Sequence, residues 1–302
     1  MKICLENVNL SSLSGPNSFA NKLSKYFSFD GHEITVAEKA DVSLCFIEYH
    51  RNKKITPLFQ RLDGIYFNKA QDFVKQNANI KRTYDLADGV IFQTEFNKRL
   101  TYEYFGTLSN AVVISNGADV ELIERVSPLK HTKLSKYRNI WCCAANWRPH
   151  KRLKQNIKYF LEHSMEDECL VIAGKKHEEI MKNERIFYVG EIPHEQLISL
   201  YKASKYFLHL AWLDHCPNVV VDARASGCKI ICSSTGGTKE IAGPQATLIE
   251  EEEWDYKPID LYNPPDLNFE KKLNNYYDIE YNMYDVSRRN LEFLSSYAGG
   301  GK

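Results

Sequence analysis

The stretch Tyr206–Gly243, YFLHLAWLDHCPNVVVDARASGCKIICSSTGGTKEIAG, constrains the fold more than any other part of this chain. It reads as a strand over Tyr206–Ala211, a loop over Trp212–Cys216, a helix over Pro217–Ser226, a second strand over Lys229–Ser233, and a Gly-Gly turn into a further helix. Pro217 suits a first helical turn, where its missing N–H costs nothing. Gly227 stands where a left-handed cap is wanted. Two apolar strands joined by one short helix form a βαβ unit, which implies a parallel sheet. Ligands of such sheets bind outside the carboxyl ends of the strands, so the loops 212–217 and 234–238 are expected to share one crevice. Asp214 in the first loop and Asp222 in the helix stand there with seven residues between them. Spacing alone leaves two readings level. One is a helix-face carboxylate paired with Arg224 or a lysine. The other is a pair of acceptors for sugar and ribose hydroxyls beside phosphate-attracting helix N-termini.

The rest of the chain repeats the strand–helix alternation twice over. Strand Lys2–Leu5, the polar loop Asn9–Asn17, a helix over Ser18–Phe27 and strand Glu33–Ala37 open a doubly wound domain. Gly15 in that loop either lets a ligand approach the backbone or simply serves a βα turn. Strands follow at Val42–Ile47, Gly89–Gln93 and Ala111–Ile114, with helices over Asp72–Ala87 and Thr94–Phe105, the latter capped by Thr94 or Asn97. Asp63-Gly64 follows another strand-like run and is by itself only a turn signal. The polar, basic segment Asp119–Arg138 marks a domain boundary. Beyond it come strand Asn139–Ala145, loop Asn146–His150, then Lys151-Arg152 and a helix to about His163, strands Cys169–Gly174 and Ile186–Val189, and a helix over Pro193–Ala203. Arg148 and Lys151, at a loop entering a helix, read as a phosphate cradle or as solvated charge. After Gly243, Ala246–Ile249 is a last short strand, Glu250–Leu267 is acidic and proline-bearing, and Asn268–Tyr297 reads as mainly helical.

Thirty-nine basic residues balance thirty-nine acidic ones, so no global field recruits a nucleic acid. No apolar run approaches the ~20 residues of a membrane span, and no signal-peptide core is visible, which points to the cytoplasm. The lysines and tyrosine between Lys133 and Tyr137 either contact a membrane surface peripherally or form a solvated linker. Eight cysteines without a C-x-x-C pair fit buried thiols in a reducing compartment better than disulfides or a metal site. The final Ala-Gly-Gly-Gly-Lys reads as a flexible tail.

Several segments, taken in order, resemble the retaining nucleotide-sugar glycosyltransferases of the GT-B fold, family 4. They are SGPNSFANKLSKYFSFDGHEITV, QTEFNKRLTYEYFG, VISNGAD, AANWRPHKRL, VIAGK and YVGEIPHEQLISLYKASKYFLHLAWLDHCPNVVVDARASGCKIICSSTGGTKEIAG. The resemblance implies an α/β chain of two Rossmann-like doubly wound domains facing across a cleft. The first, 1–125, is an acceptor domain completed by a crossing helix at about 280–297; the second, 138–265, is the donor domain. It also implies transfer of a sugar from a nucleoside diphosphate to an acceptor hydroxyl with retention, without cofactor or divalent metal, and no Asp-x-Asp is present. The acceptor would be a glycan, a lipid-linked group or a protein, and no nucleic acid is expected.

By position, Asp214 and Asp222 match the two ends of the family's Glu, seven residues, Glu motif, the first against the donor sugar and the second on the ribose. Both are one methylene shorter here. Pro217, Asn218 and Val219 match the segment whose amides face the donor, with Gly237 and Gly15 as further backbone approaches. Lys151 matches the lysine that neutralises the diphosphate. The family's arginine five positions earlier is replaced by Asn146, and Arg148 is the substitute. Asp63 falls where many relatives carry a histidine before glycine, beside the reacting carbon. The implied catalytic set is therefore Asp63, Asp214 and Lys151. A non-catalytic sugar-nucleotide binding protein and a sugar-nucleotide epimerase are the alternatives on the same fold.

Overall fold

The alternation of short apolar runs with amphipathic segments produces two largely parallel sheets, each with its own core, in the computed structural model of the chain, which describes residues 1–11, 15–175 and 181–298. One unit comprises Met1–Gly117, Tyr256–Pro258 and the residues from Glu280 onward; the other comprises Ala118–Asp255 and Ile259–Ile279.

The first unit holds β1 (Lys2–Glu6), β2 (Glu33–Ile34), β3 (Val42–Phe46), β4 (Leu58–Leu62), β5 (Gly89–Phe92) and β6 (Ala111–Val113), in the order β2-β1-β3-β4-β5-β6 and all parallel. Every residue of β3, β4 and β5 is buried, as a sheet covered on both faces requires. Helix α1 (Gly15–Phe29) buries Phe19, Ala20, Leu23, Tyr26 and Phe27, one apolar stripe at helical spacing. Gly15 is thus the first residue of the helix, not a loop residue, and residues 12–14 of the expected glycine loop lie outside the described residues. Strand β2 stops at Ile34 instead of Ala37, because Ala37–Lys39 already turns as a 3-10 helix. Asp72 and Thr94 cap α2 (Phe73–Leu86) and α3 (Glu95–Phe105), accepting from the amides of Lys75 and Asn97.

The second unit begins with α4 (Val120–Arg125). The polar segment after it packs here: Leu129 N donates to Ser199 O (2.9 Å), Ser199 Oγ to Ser127 O (2.8 Å) and Lys202 Nζ to Ile123 O (2.7 Å). Its sheet contains β7 (Asn139–Ala144), β8 (Glu168–Ala173), β9 (Ile186–Gly190), β10 (Tyr206–His209), β11 (Lys229–Ser233), β12 (Thr247–Ile249) and β13 (Lys272–Asn274), in the order β13-β12-β11-β10-β7-β8-β9. Helices α5 (Leu153–His163), α6 (His194–Ala203), α7 (Asn218–Ala225) and α8 (Thr238–Ile241) complete it. All pairings are parallel except β12 with β13. The strand order reverses between β7 and β10, so the crevice at their carboxyl ends is this unit's topological switch point.

The mainly helical reading of 268–297 fails in its first half. Residues 272–274 form the antiparallel edge strand, and α9 (Met283–Ala298) is the only α-helix in that range. Asparagine side chains take backbone partners in place of a helix: Asn275 Nδ2 donates to Lys239 O (2.7 Å) and Gly243 O (2.9 Å), and Asn282 Oδ1 accepts from Tyr284 N (2.9 Å). Helix α9 belongs to the first unit. Its Met283, Val286, Leu291 and Leu294 share a core with Leu23 and Phe27 of α1, and Tyr284 meets Tyr26 edge-on at 4.7 Å. Residues 299–302, most of the expected tail, lie outside the described residues.

Candidate active site

The loop after β7 is built to a strained, well-anchored shape. Pro149–Lys151 forms one 3-10 turn, Arg152 reverses the backbone at φ 53°, and α5 starts only at Leu153. Lys151 is therefore the last residue of the 3-10 turn, ahead of the long helix. A left-handed non-glycine costs free energy, so something must hold it. Arg152 itself does so. Its buried guanidinium donates to Leu210 O (3.2 Å), Glu251 Oε1 (2.6 Å) and Pro265 O (2.8 Å). Asn156, fully buried on α5, donates to Lys151 O (3.1 Å) and Arg152 O (2.8 Å) and accepts from Leu210 N (3.3 Å). Trp212 N donates to His150 O (2.8 Å). The loops after β7 and β10 are thereby joined across the switch point.

Lys151 and Asp214 meet at this junction. Lys151 Nζ donates a short hydrogen bond to Asp214 Oδ2, which also accepts from His209 Nε2 at 2.8 Å, while Asp214 Oδ1 accepts from His215 N at 3.1 Å. Burial pushes the Asp214 carboxyl up, but Lys151 and His209 outweigh it and hold it well below the usual range. Burial lowers His209, a 3 % exposed residue at the end of β10, in spite of its carboxylate partner. A neutral imidazole beside an ionised carboxylate must donate, so His209 carries its proton on Nε2. His150 is pushed down to about 3 by burial and by Lys151, so it too is neutral at pH 7.

The backbone around Asp214 is as confined as its side chain. Leu213 has φ 54°, and Gly237 N donates to Asp214 O at 2.8 Å. Gly236, at φ +75°, lies so close that a Cβ would come within 2.7 Å of Asp214 O and 2.9 Å of Asp214 N. The Gly-Gly turn expected to line the crevice is in contact with the Asp214 loop.

Asp222 occupies different surroundings. It is 4 % exposed on α7, and its Oδ2 is 3.0 Å from His194 Nε2 on α6. Arg224, the partner considered on spacing, pairs instead with Asp278 (2.8 Å). Pro217 is the N-cap of α7 and not its first helical residue, and Asn218 and Val219, both half-buried, begin the helix. Arg148 is exposed at the head of the 3-10 turn, where its carbonyl accepts from Lys151 N (2.9 Å).

Asp63 follows β4 of the first unit. Its Oδ1 accepts from Gln93 Nε2 and lies 3.8 Å from Arg61 Nε, while Oδ2 is buried without a hydrogen-bond partner. Burial raises this carboxyl to about 6, against the opposing pull of Arg61 and Gln93. Arg61 is fully buried: it donates to Ile114 O (3.2 Å) and Asn116 Oδ1 (2.6 Å) and lies 4.0 Å from the centre of the Phe19 ring. His209, His194, Arg152 and Gln93 were absent from the sequence-derived set. The one available signal was a histidine closing the apolar strand YFLH five residues before Asp214. Among the described residues no group of three His, Cys, Asp or Glu side chains is arranged to hold a metal ion, and no helix is long and apolar enough to cross a membrane.

Residues 129–256, nearly all within the second unit, match the family model described as Glycosyl transferases group 1. That segment is similar to the group 1 glycosyl transferases and spans less than half of the chain. No curated protein sequence matches the chain. Solved structures similar in fold include Anabaena Alr3699/HepE in complex with UDP-glucose, with a TM-score of 0.67 at 12% identity over 98% of this chain and 100% of that one. AviGT4, a glycosyltransferase involved in avilamycin A biosynthesis, aligns with a TM-score of 0.63 at 12% identity over 100% and 99%. WaaG, a glycosyltransferase involved in lipopolysaccharide biosynthesis, gives 0.61 at 10% identity over 100% and 96%. At such identities the likeness establishes the fold: the chain has the GT-B fold of two α/β units.

Proposed function

We propose that the chain transfers a sugar from a nucleoside-diphosphate sugar to an acceptor hydroxyl with retention of configuration, as a family 4 enzyme that needs no divalent metal. The observation that carries this reading is the Lys151–Asp214 pair at the switch point of the domain matching group 1 glycosyltransferases. The similar Anabaena structure, solved with UDP-glucose, supports a UDP-sugar donor. The diphosphate gathers negative charge as the glycosidic bond breaks through an oxocarbenium-like transition state. Lys151, already held at the carboxyl end of the sheet, meets that charge, and Arg148 adds a second cation from the same turn. Asp214, kept ionised, faces the sugar and is fixed by His209 and the amide of His215. Asp222, backed by His194, takes the ribose hydroxyls, and within Pro217–Val219 the residues that carry an amide N–H are Asn218 and Val219. In the first unit, Asp63 offers its second oxygen to an acceptor hydroxyl. The site of action is cytoplasmic in this reading.

The test is a thermal-shift screen of UDP, GDP, ADP and their sugars, followed by product analysis with candidate glycan, lipid-linked and protein acceptors. Stabilisation grows with ligand concentration over dissociation constant, so the true donor stands out. A donor that shifts the melting temperature and is then hydrolysed or transferred, with the product anomer unchanged, supports the proposal. Binding with no turnover identifies a binding protein on the same fold, and isomerised donor identifies an epimerase. No shift with any nucleotide removes the donor site assigned to Lys151 and Asp222.

A further inference from the structure

A groove of about 660 Å³ opens in the second unit, lined by residues 128–132, 134–135 and 137–140 together with Ala203 and Lys205. It lies where β7 begins and just before β10 begins, at the amino edge of the sheet. Lys151 and Asp214 follow the carboxyl ends of the same two strands, so an occupant of the groove leaves that edge open.

The lining has two characters. Leu129, Leu134 and Ile140 are buried or half-buried and apolar, whereas Lys130, Arg138 and Lys205 are exposed. Residues 126–140 contain Lys130, Lys133, Lys136 and Arg138 and no carboxylate, in a chain whose charges cancel overall. Arg138 is partly answered by Asp167 (3.4 Å) and Glu168 (3.7 Å). No carboxylate of a described residue pairs with the other three or with Lys205. Local hydrogen bonds fix how the lysines are presented. Leu134 N (2.9 Å) and Ser135 N (3.1 Å) both donate to His131 O, and Tyr137 N donates to Leu134 O (3.1 Å). Lys130 lines the groove, and Lys133 and Lys136 are exposed in the adjoining turn, whose Leu134 is buried.

We propose that this groove docks the second unit onto an anionic phospholipid surface, with headgroup phosphates on Lys130, Lys133, Lys136 and Lys205 and the adjoining apolar part of a lipid against Leu129, Leu134 and Ile140. Charge complementarity identifies an anion, and the apolar lining identifies an amphiphile. A nucleic acid is the poorer fit. Of the two rings in the lining, Tyr137 is held edge-on to Phe187 at 5.9 Å with its hydroxyl on Glu184 O (3.0 Å), and His131 is tied by its Nδ1, which accepts from Lys133 N (3.2 Å), so neither forms an open stacking platform. The proposal does not depend on the donor assignment.

The experiment is flotation of the full chain with vesicles of phosphatidylcholine alone or mixed with phosphatidylglycerol, over a range of salt. The protein should float with the mixed vesicles only, and less as salt rises. The triple variant Lys130→Gln, Lys133→Gln, Lys136→Gln should lose about a hundredfold in partitioning, roughly fivefold for each lysine, with an unchanged melting temperature. A soluble short-chain phosphatidylglycerol should compete where glycerol phosphate does not. Equal flotation with neutral vesicles, no flotation with either, or an unaffected triple variant overturns the proposal. Equal competition by glycerol phosphate would show a simple phosphate site instead, and displacement by a single-stranded oligonucleotide as effective as the short-chain lipid would show a polyanion surface.

Discussion

Replacing Asp63 by asparagine tests how the first unit holds a buried carboxyl. Asp63 is 11 % exposed at its side chain, one oxygen is unpartnered, and burial raises its pKa from 3.8 to about 6. The folded chain therefore holds this proton more tightly than the unfolded chain. Its contribution to stability is complete below pH 4, and it is lost as the pH rises through 6. A gap of about two pKa units corresponds to ~3 kcal/mol at most, all of it felt by pH 8. Asparagine cannot ionise, and its carbonyl can still accept from Gln93. Asp63→Asn should accordingly match the wild type near pH 4 and exceed its stability at pH 8 by about 1–3 kcal/mol. Urea denaturation of both proteins at pH 4, 5, 6, 7 and 8 measures the difference directly. A stability difference that stays flat across that range, or a variant weaker than wild type at pH 8, refutes the reasoning. It would mean that the Arg61 charge, and not burial, governs the site.

Three further outcomes follow from the second unit. Lys151→Ala should reduce turnover with any nucleoside-diphosphate sugar by about 10²–10³-fold, the usual loss for one preorganised charge at a developing anion, and steady-state kinetics check it. His209→Leu should destabilise the fold by about 1–3 kcal/mol, because Asp214 loses a buried donor, and weaken donor binding by isothermal titration; an unchanged melt would show that His209 does not position Asp214. Gly236→Ala places a Cβ within 2.7 Å of Asp214 O at a positive φ, so the loop must move. It should cost about 1–3 kcal/mol in thermal denaturation and abolish the nucleotide-induced shift.

The βα order was readable because strand and helix runs in this chain keep their periods. YFLH and KIIC are buried at nearly every residue, and α1 buries one stripe. Lys151 and Asp214 could be named because each closes a loop after a recognisable strand. Their partners could not. The link from His209 to Asp214 depends on a left-handed Leu213 that no propensity anticipates. Asp222 could have met Arg224 by spacing, yet it meets His194 twenty-eight residues away, a contact set by how α6 packs on α7. Arg152 looked like surface charge beside Lys151. Its burial requires acceptors at Leu210, Glu251 and Pro265, which come together only when the whole unit has folded. Residues 268–282 misled for the opposite reason: the side chains of Asn268, Asn275, Glu280 and Asn282 accept from amides two residues on, which a helical pattern of apolar spacing does not register.

The lysine at the switch point is already neutralised before any ligand arrives. A newcomer must exceed what Asp214 provides, or Lys151 stays where it is. A free sugar brings no charge and gains nothing from the ammonium. In the proposed function a diphosphate brings more than one negative charge and shares Lys151 without stripping Asp214 of His209. On that reading the pair sets an entry threshold measured in charge, screening solutes by their phosphates before any hydroxyl is read.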